Sequence, residues 1–293
     1  MAKSIHNGRR KAGKATACKA AGRSASVMRP EYLAEIAHFR LMDDDFMSKC
    51  LENAPECIEL MLRIILGKKD LKVVKSQTEY PIKSLQGRGV RFDVFARDSK
   101  GREYDIEIQR ADKGAEPKRA RYNSALMDAN ALKSGEDIDK LRDTYVIFIT
   151  ESDVLGGGKE VYHVNRKIEE SGCGNFDDGA HIIYVNCVAK GDSDVCKLIH
   201  DLLCPDAEEM YFDVLRERVS EFKNSEEGRH IMCKAMERIK AEGKAEGKAE
   251  GEREAMKDMA KRLLANGKLM LREIAECTGL SLAQVRKLQT SMA

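Results

Sequence analysis

The chain has 293 residues, of which 42% are hydrophobic and 34% are charged, and its formal net charge is +2. The apolar fraction supports a packed core, whereas the high charged fraction indicates polar ends that pack poorly. No run approaches the ~18 consecutive apolar residues of a membrane helix, and no apolar segment follows the basic start. We therefore expect a cytoplasmic protein with no membrane partner.

The nine cysteines are scattered, odd in number and never arranged as Cys-x-x-Cys. This pattern indicates neither a zinc site nor a disulfide framework. We expect them to be reduced thiols that mostly fill the core.

The first 29 residues contain eight Lys or Arg and no acidic residue. Such a segment suits a polyanion, because each cation that neutralises a phosphate releases counterions. A solvated tail that only aids solubility explains the composition equally well. In both cases residues 1–30 are predicted to be a disordered basic arm.

The first predicted elements are a helical stretch and two strand segments. Residues 31–66 carry apolar side chains at three- and four-residue spacing until Gly67 ends the run. A strand-like stretch follows at 71–82. Residues 88–97 and 102–109, joined by a turn ending at Gly101, then predict a β-hairpin.

A helix is predicted from Pro117 to about Lys133. Its expected apolar side consists of Tyr122, Ala125, Leu126, Ala129 and Leu132. Residues 145–149 form a short apolar run typical of a buried central strand. Further along, residues 156–158 predict a loop, 181–188 a strand and 195–203 a helix. This order predicts an α/β fold with a mixed sheet flanked by helices.

Three KAEG repeats begin at Lys240. A period of four places like charges above each other and forgoes favourable i,i+4 pairs, and each Gly costs ~1 kcal/mol relative to Ala in a helix. We therefore predict a weakly helical, exposed linker over 238–256. The expected domains are a globular domain at 31–235, a charged helical linker at 236–262 that contains the repeats, and a small helical unit at 263–293.

The hairpin carries the candidate chemistry. Alternation places Asp93 on one face of the first strand and Asp105, Glu107 and Gln109 on one face of the second. A Ser99-Lys100-Gly101 loop with Gly101 left-handed sets Asp93 across from Glu107, with Cβ atoms about 4.5–5.5 Å apart. Two facing carboxylates repel unless a cation lies between them. Mg²⁺ or Mn²⁺ prefers such oxygen ligands.

Five segments together carry a resemblance to a known family. They are Asp43–Met47, Gly89–Val94, Gly101–Gln109, Lys118–Tyr122 and Leu141–Ile149. Their order and spacing resemble the PD-(D/E)XK nuclease core and, within it, the PD-(D/E)XK family transposases allied to recombination-promoting nucleases. The resemblance covers roughly residues 40–165, and the Lys/Glu/Gly tail also looks like that branch.

The resemblance implies a restriction-endonuclease-like fold and a metal-dependent DNA endonuclease in a mobile-element or recombination setting. Asp93 and Glu107 would bind the metal, with the Ile108 carbonyl as a further ligand. Gln109 stands where the wider superfamily has Lys, and Gln can only hydrogen-bond. The resemblance also implies an outer carboxylate from Asp43, Asp44 or Asp45, of which we favour Asp45. Arg119 and Arg121 would be phosphate contacts.

Other interpretations of the hairpin stay open. It could be an ordinary amphipathic hairpin with a solvated outer face. The nuclease fold could also be correct but inactive, serving as a DNA-binding or assembly module. A third alternative is an intact metal site that acts on RNA.

Residues 268–290 have the small-residue, turn and apolar spacing of a helix-turn-helix. Gly279 would take the turn and Ser281 would cap the second helix. Gln284 and Lys287 would then face outward toward DNA. A helical hairpin for homo-oligomerisation or docking fits the pattern equally well.

Overall fold

The computed structural model describes residues 29–83, 87–110, 114–170 and 174–292. The predicted basic arm therefore lies almost wholly outside the described residues. A mixed six-stranded sheet with the order β1-β2-β3-β4-β8-β5 forms the centre of the fold. The strands are β1 Val73–Ile82, β2 Val90–Asp98, β3 Glu103–Gln109, β4 Thr144–Thr150, β5 Val161–Val164, β6 Lys167–Ile168, β7 Gly174–Asn175 and β8 Ala180–Asn186.

Nine α-helices are present in the described ranges. They are α1 Pro30–His38, α2 Asp44–Leu51, α3 Pro55–Leu66, α4 Pro117–Ala131, α5 Asp194–Leu203, α6 Asp213–Asn224, α7 Glu226–Asn266, α8 Leu271–Thr278 and α9 Leu282–Met292. The predicted α/β architecture, a mixed sheet flanked by helices, is confirmed.

The helical stretch expected over 31–66 is divided into three helices rather than one. The first break coincides with Asp43, whose carboxylate accepts the Arg40 backbone N–H at 2.7 Å and thereby competes with a continuing helix. The second break precedes Pro55, which opens α3 because proline lacks the N–H that a helix interior requires. Gly67 ends α3 in the left-handed conformation (φ 63°), as predicted.

The register predicted for the hairpin is confirmed from Val94 to Asp98, whereas the predicted Asp93–Glu107 pair lies beyond the last paired residues. Val94 pairs with Ile106 and Arg97 with Glu103, and the Asp98 N–H bonds the Arg102 carbonyl at the base of the loop. Gly101 is left-handed (φ 81°), as the three-residue loop requires. The hairpin therefore enters the sheet with its two strands in the alignment that sequence alternation indicates.

The sheet separates two hydrophobic cores. The larger core lies under α1, α2, α3, α5, α6 and the beginning of α7, and the smaller core lies under α4. β4 is buried along its whole length and pairs in parallel with β3 and β8, as expected for a central strand. This arrangement fixes β3 in the interior, with α4 over one face.

The face of α4 that packs against the sheet was predicted wrongly. Tyr122, Ala125 and Ala129 are exposed. The buried positions of α4 are Ala120, Asn123, Ser124, Leu126 and Met127. The reason is a polar contact. Asn123 donates to a buried carboxylate on β3, and the side of α4 that bears Asn123 therefore faces the sheet.

The KAEG segment is helical and exposed, as expected, and is part of one continuous 41-residue helix, α7. Residues just outside the repeat form i,i+4 ion pairs with residues inside it. These pairs are Arg238–Glu242 and Lys248–Glu252. Each residue of 240–256 is exposed. Among the described helices, including α7, none is both long and apolar enough to cross a membrane.

Candidate active site

Three carboxylates on β2 and β3 come together under α4. Asp105 and Glu107 are fully buried, and Asp93 is half-buried. Sequence alternation placed them on one polar face, but this face is covered by α4 instead of being solvated. An ordinary solvated hairpin face is therefore excluded.

The backbone pairing between β2 and β3 stops before Asp93. Paired residues end at Val94, and the Asp93 carboxylate accepts the Ile108 backbone N–H at 2.9 Å. This bond holds Asp93 beside β3, in the place that the regular ladder would have given to a backbone carbonyl. The two strands consequently begin to separate where the acidic residues lie.

Arg119 and Asn123, one turn apart on α4, lie over the buried carboxylates. A guanidinium nitrogen of Arg119 donates to Oε2 of Glu107 at 2.5 Å. The Asn123 amide donates to Asp105 at 2.9 Å and more weakly to Glu107 at 3.4 Å. Oδ1 of Asp105 has no hydrogen-bond partner among the described residues. Within these contacts the three carboxyl groups therefore face one cation, Arg119, which pairs with Glu107.

Burial raises the pKa of all three carboxyl groups. Desolvation is the largest cause in each case. Charge repulsion adds to it: from Glu107 and Asp93 at Asp105, and from Asp44 and Glu79 at Asp93. For Glu107 the charge of Asp93 raises the pKa further, whereas Arg119 lowers it. A bound cation would relieve both the burial and the repulsion.

A cleft of about 1140 Å³ opens above this cluster. Asp93, Ile108, Arg119 and Asn123 line its floor. Its other charged lining residues are mainly basic: Arg88, Arg91, Arg110, Lys118 and Arg121, against Asp44 and Glu116. Asp93 is the carboxylate of the cluster that lines this basic cleft, and Glu107 is connected to the cleft through Arg119. A basic cleft of this kind suits a polyanion.

Gln109 also lines the cleft, beside a glycine that has little spare room. A Cβ added at Gly114 would lie 2.2 Å from Oε1 of Gln109 and 3.2 Å from a guanidinium nitrogen of Arg119. Gly114 additionally has φ 122°, a conformation that favours glycine. The absence of a side chain at this position therefore permits the arrangement of Gln109 next to Arg119.

The three acidic residues at the start of α2 contact different parts of the molecule. Asp44 lines the main cleft and raises the pKa of Asp93, whereas Asp45 lines only a neighbouring cavity of about 490 Å³ between α2, β2 and α7. Asp43 is paired with Arg40 and Arg110. The structure thus places Asp44, not the expected Asp45, beside the carboxylate cluster.

The residues at the site fit a hard divalent cation. They supply carboxylate oxygens, one of them buried without a partner, and Ile108 lines the cleft beside them. Within the described ranges no three His, Cys, Asp or Glu side chains are arranged as a complete metal cage. Mg²⁺ needs no such cage, because it commonly uses one or two carboxylates and completes its shell with water and phosphate.

The sequence did not single out Asn123 or a structural role for Asp105, and it offered Asp44 only as an alternative to Asp45. The signal for Asp105 was its position two residues before Glu107 on the same strand face. The signal for Asn123 was its spacing of four from Arg119, which puts both on one side of a helix. Asp44 carried no signal that separated it from its two acidic neighbours.

The comparison with protein families gives a clear result. A family model described as PD-(D/E)XK nuclease family transposase matches residues 52–263, more than two thirds of the chain. The chain belongs to this family. Asp93, Glu107, Gln109 and α4 lie inside the matched range, whereas α9 lies outside it. No curated protein and no solved structure matches the chain.

Proposed function

We propose that this family member is a Mg²⁺- or Mn²⁺-dependent endonuclease that hydrolyses phosphodiester bonds in DNA, in a transposition or recombination setting. The observation that supports it is the carboxylate cluster of Asp93 and Glu107 below a cleft with a basic rim. The family relation supports a nuclease-like function in general. The metal, the substrate and the roles of individual residues are our inference.

Asp93, Glu107 and the Ile108 carbonyl would hold the metal. A divalent ion bound by them would lower the pKa of a water molecule and stabilise charge on the phosphate oxygens. Both carboxylates must be ionised to act as ligands. The Ile108 N–H helps by holding the Asp93 carboxylate in one orientation, and Asp44 is the outer acidic residue closest to this role.

Arg119 would perform two tasks. Its ion pair stabilises the charged form of Glu107, since the pKa of Glu107 is lowered by Arg119 against the effect of burial. Its guanidinium, 39% exposed, also faces the cleft. It can therefore present a cation to the scissile phosphate, which the uncharged Gln109 cannot.

The basic rim would bind the nucleic-acid backbone. Arg88, Lys118 and Arg121 contact the same cleft from two sides. Side chains of this kind fix the register of a duplex without reading its sequence. The reaction would be direct attack by water. Tyr122 lines the cleft, but its hydroxyl donates to the Arg88 carbonyl, so we assign it no nucleophilic role.

The test is nicking of supercoiled plasmid by the full chain with Mg²⁺, Mn²⁺ or EDTA. Glu107→Gln should abolish metal-dependent nicking, because an amide is a poor metal ligand. The matched control is Glu103→Gln, the same change on the same strand, at a residue that pairs with Arg97 outside the cleft. Loss of nicking in both variants, or in neither, would refute the assignment.

A second candidate is an inactive nuclease fold that binds DNA or assembles a complex. The observation that favours it is the pairing of Glu107 with Arg119, together with Gln109 at the usual Lys position. In that case DNA is retarded on a gel without cutting, and added Mg²⁺ does not raise the melting temperature. A third possibility is that the metal site acts on RNA. Assaying single-stranded and duplex RNA under the same conditions as the plasmid tests it.

A further inference from the structure

The end of the chain forms a small three-helix unit with its own core. Ala260 of α7, Ile274 of α8 and Val285 of α9 are buried against each other, together with Leu280 of the α8–α9 turn. Half-buried leucines of α7, α8 and α9 pack around them. Between this unit and the main body, α7 is exposed on all sides over residues 240–256.

The turn between α8 and α9 has the form of a helix-turn-helix. It contains three residues, and Gly279 adopts φ 70°. The Ser281 hydroxyl accepts the Gln284 backbone N–H at 3.3 Å, and Oε1 of Gln284 accepts the Ser281 N–H at 2.8 Å. This capping box, of which the Ser281 cap was predicted, fixes the start of α9.

The outward side of α9 is basic and polar. Val285 points into the core, whereas Ala283, Arg286, Lys287 and Thr290 are exposed. The residues of Leu282–Met292 include no Asp or Glu. Neither Arg286 nor Lys287 makes a side-chain ion pair within the described part of the chain. Two cations and no carboxylate are thus left on one exposed helix face.

Two basic residues of α7 extend this face. Arg253 and Lys257 line a groove of about 370 Å³ together with Lys287 of α9. Lys257 is partly neutralised by Glu254 at 3.3 Å. The charge that remains is positive and is supplied from two helices, as expected for contact with an extended polyanion.

We propose that α9 binds in the major groove of duplex DNA, as a second DNA-binding surface separate from the nuclease cleft. The groove is about 12 Å wide and accommodates a helix about 10–12 Å across. Arg286 and Lys287 contact phosphates, and the small Ala283 lets the helix approach the base edges. Gln284 uses its amide oxygen in the cap, which leaves only its NH₂ for DNA.

The length of α7 separates the core of the C-terminal unit from the main core. Met236 is the last residue of α7 buried in the main core, and Ala260 is the first buried in the C-terminal unit. The helical rise places them about 36 Å apart, close to the 34–36 Å of one DNA turn.

The test measures binding of a duplex of several turns to full-length Glu107→Gln protein in EDTA, so that cutting cannot interfere. Removing two phosphate contacts with Arg286→Gln and Lys287→Gln should lower the slope of log Kd against log salt by about 2. The matched control removes the same charge from the exposed α7 segment, with Lys244→Gln and Lys248→Gln. Its slope should stay unchanged.

Equal slopes in both double variants would overturn the proposal. So would a change in sedimentation from dimer to monomer in the α9 variant with unchanged DNA binding, because α9 would then be a self-association surface. The outcome does not depend on the proposed nuclease, which is assayed with unmodified protein and metal. A loss of slope with no plasmid nicking would support α9 and refute the nuclease.

Discussion

The guanidinium of Arg119 lies 2.5 Å from Oε2 of Glu107, a carboxylate with no exposed surface. A charge buried this deeply is costly unless it is paired. The pair joins the first turn of α4 to the third strand of the sheet, and it is the direct contact between the basic cleft and the proposed metal ligands. Arg119 therefore affects both the ionisation of Glu107 and the charge of the cleft.

Replacing Arg119 by Ala should lower the plasmid-nicking rate by about 10²-fold or more, the usual effect of losing one preorganised charge donor. The pH profile should also move to higher pH, because Glu107 loses the cation that lowers its pKa. Arg119→Lys should recover part of the rate by retaining the charge. The measurement is the initial nicking rate as a function of pH at saturating Mg²⁺.

The control for this variant is Arg121→Ala, two residues along the same helix and exposed. We expect it to weaken DNA binding and to leave the pH profile in place. An identical pH shift in both variants would show that Arg119 acts only through the general field of the cleft.

Gly114→Ala should reduce nicking with little change in the far-UV circular dichroism. The added Cβ would overlap Oε1 of Gln109 at 2.2 Å, so the Gln109 side chain must leave its place beside Arg119. The control is Gly135→Ala, which also has positive φ but meets no atom within 4 Å. Equal loss of activity in the two variants would attribute the effect to backbone strain rather than to Gln109.

Glu107→Gln should make the metal-free fold more stable at high pH. Burial raises the pKa of folded Glu107 above its unfolded value, which is about 4.3. Above the unfolded pKa the unfolded chain releases the proton first, so the free energy of unfolding falls until the folded pKa is passed. Glutamine cannot ionise and avoids this loss.

The measurement is the melting temperature in EDTA from pH 4.5 to pH 8. The advantage of Glu107→Gln over unmodified protein should grow as the pH rises. Mg²⁺ should then raise the melting temperature of the unmodified protein alone. A difference that does not vary with pH would contradict the assigned burial effect.

The sequence predicts the hairpin register well, because side-chain alternation and the Gly101 turn are both local properties. It also predicts β1, β4, α5 and the α8–α9 turn from short-range patterns. The burial of Asp105 and Glu107 was not predictable in this way. It depends on α4 crossing the sheet with Asn123 inward, a contact between segments 16 or 18 residues apart.

The apolar pattern of α4 was misleading for the same reason. Its apolar stripe through Tyr122 and Ala125 suggested one buried face, but pairing with buried carboxylates determined another. β5 and α6 gave weaker signals and were not predicted. Near the site, polar contacts between segments distant in sequence decide which side of α4 is buried, against its apolar periodicity. The pattern of a single sequence does not reveal such contacts.

Two glycines of α7 should respond oppositely to replacement by Ala. A Cβ at Gly228 would lie 2.2 Å from the Glu221 carbonyl oxygen and 2.6 Å from Cα of Phe222, both backbone atoms that cannot easily move. Gly228→Ala should therefore force α6 and α7 apart and lower the melting temperature. Gly243→Ala meets no atom within 4 Å and should stabilise the helix by ~1 kcal/mol.

The two variants serve as controls for each other, because they make the same substitution in one helix. Thermal unfolding followed by circular dichroism at 222 nm is the measurement. Stabilisation by both would mean that α6 and α7 are not in the close contact described. Absence of stabilisation by Gly243→Ala would mean that the KAEG segment is not helical in solution, and the ~36 Å of continuous helix between Met236 and Ala260 would no longer hold.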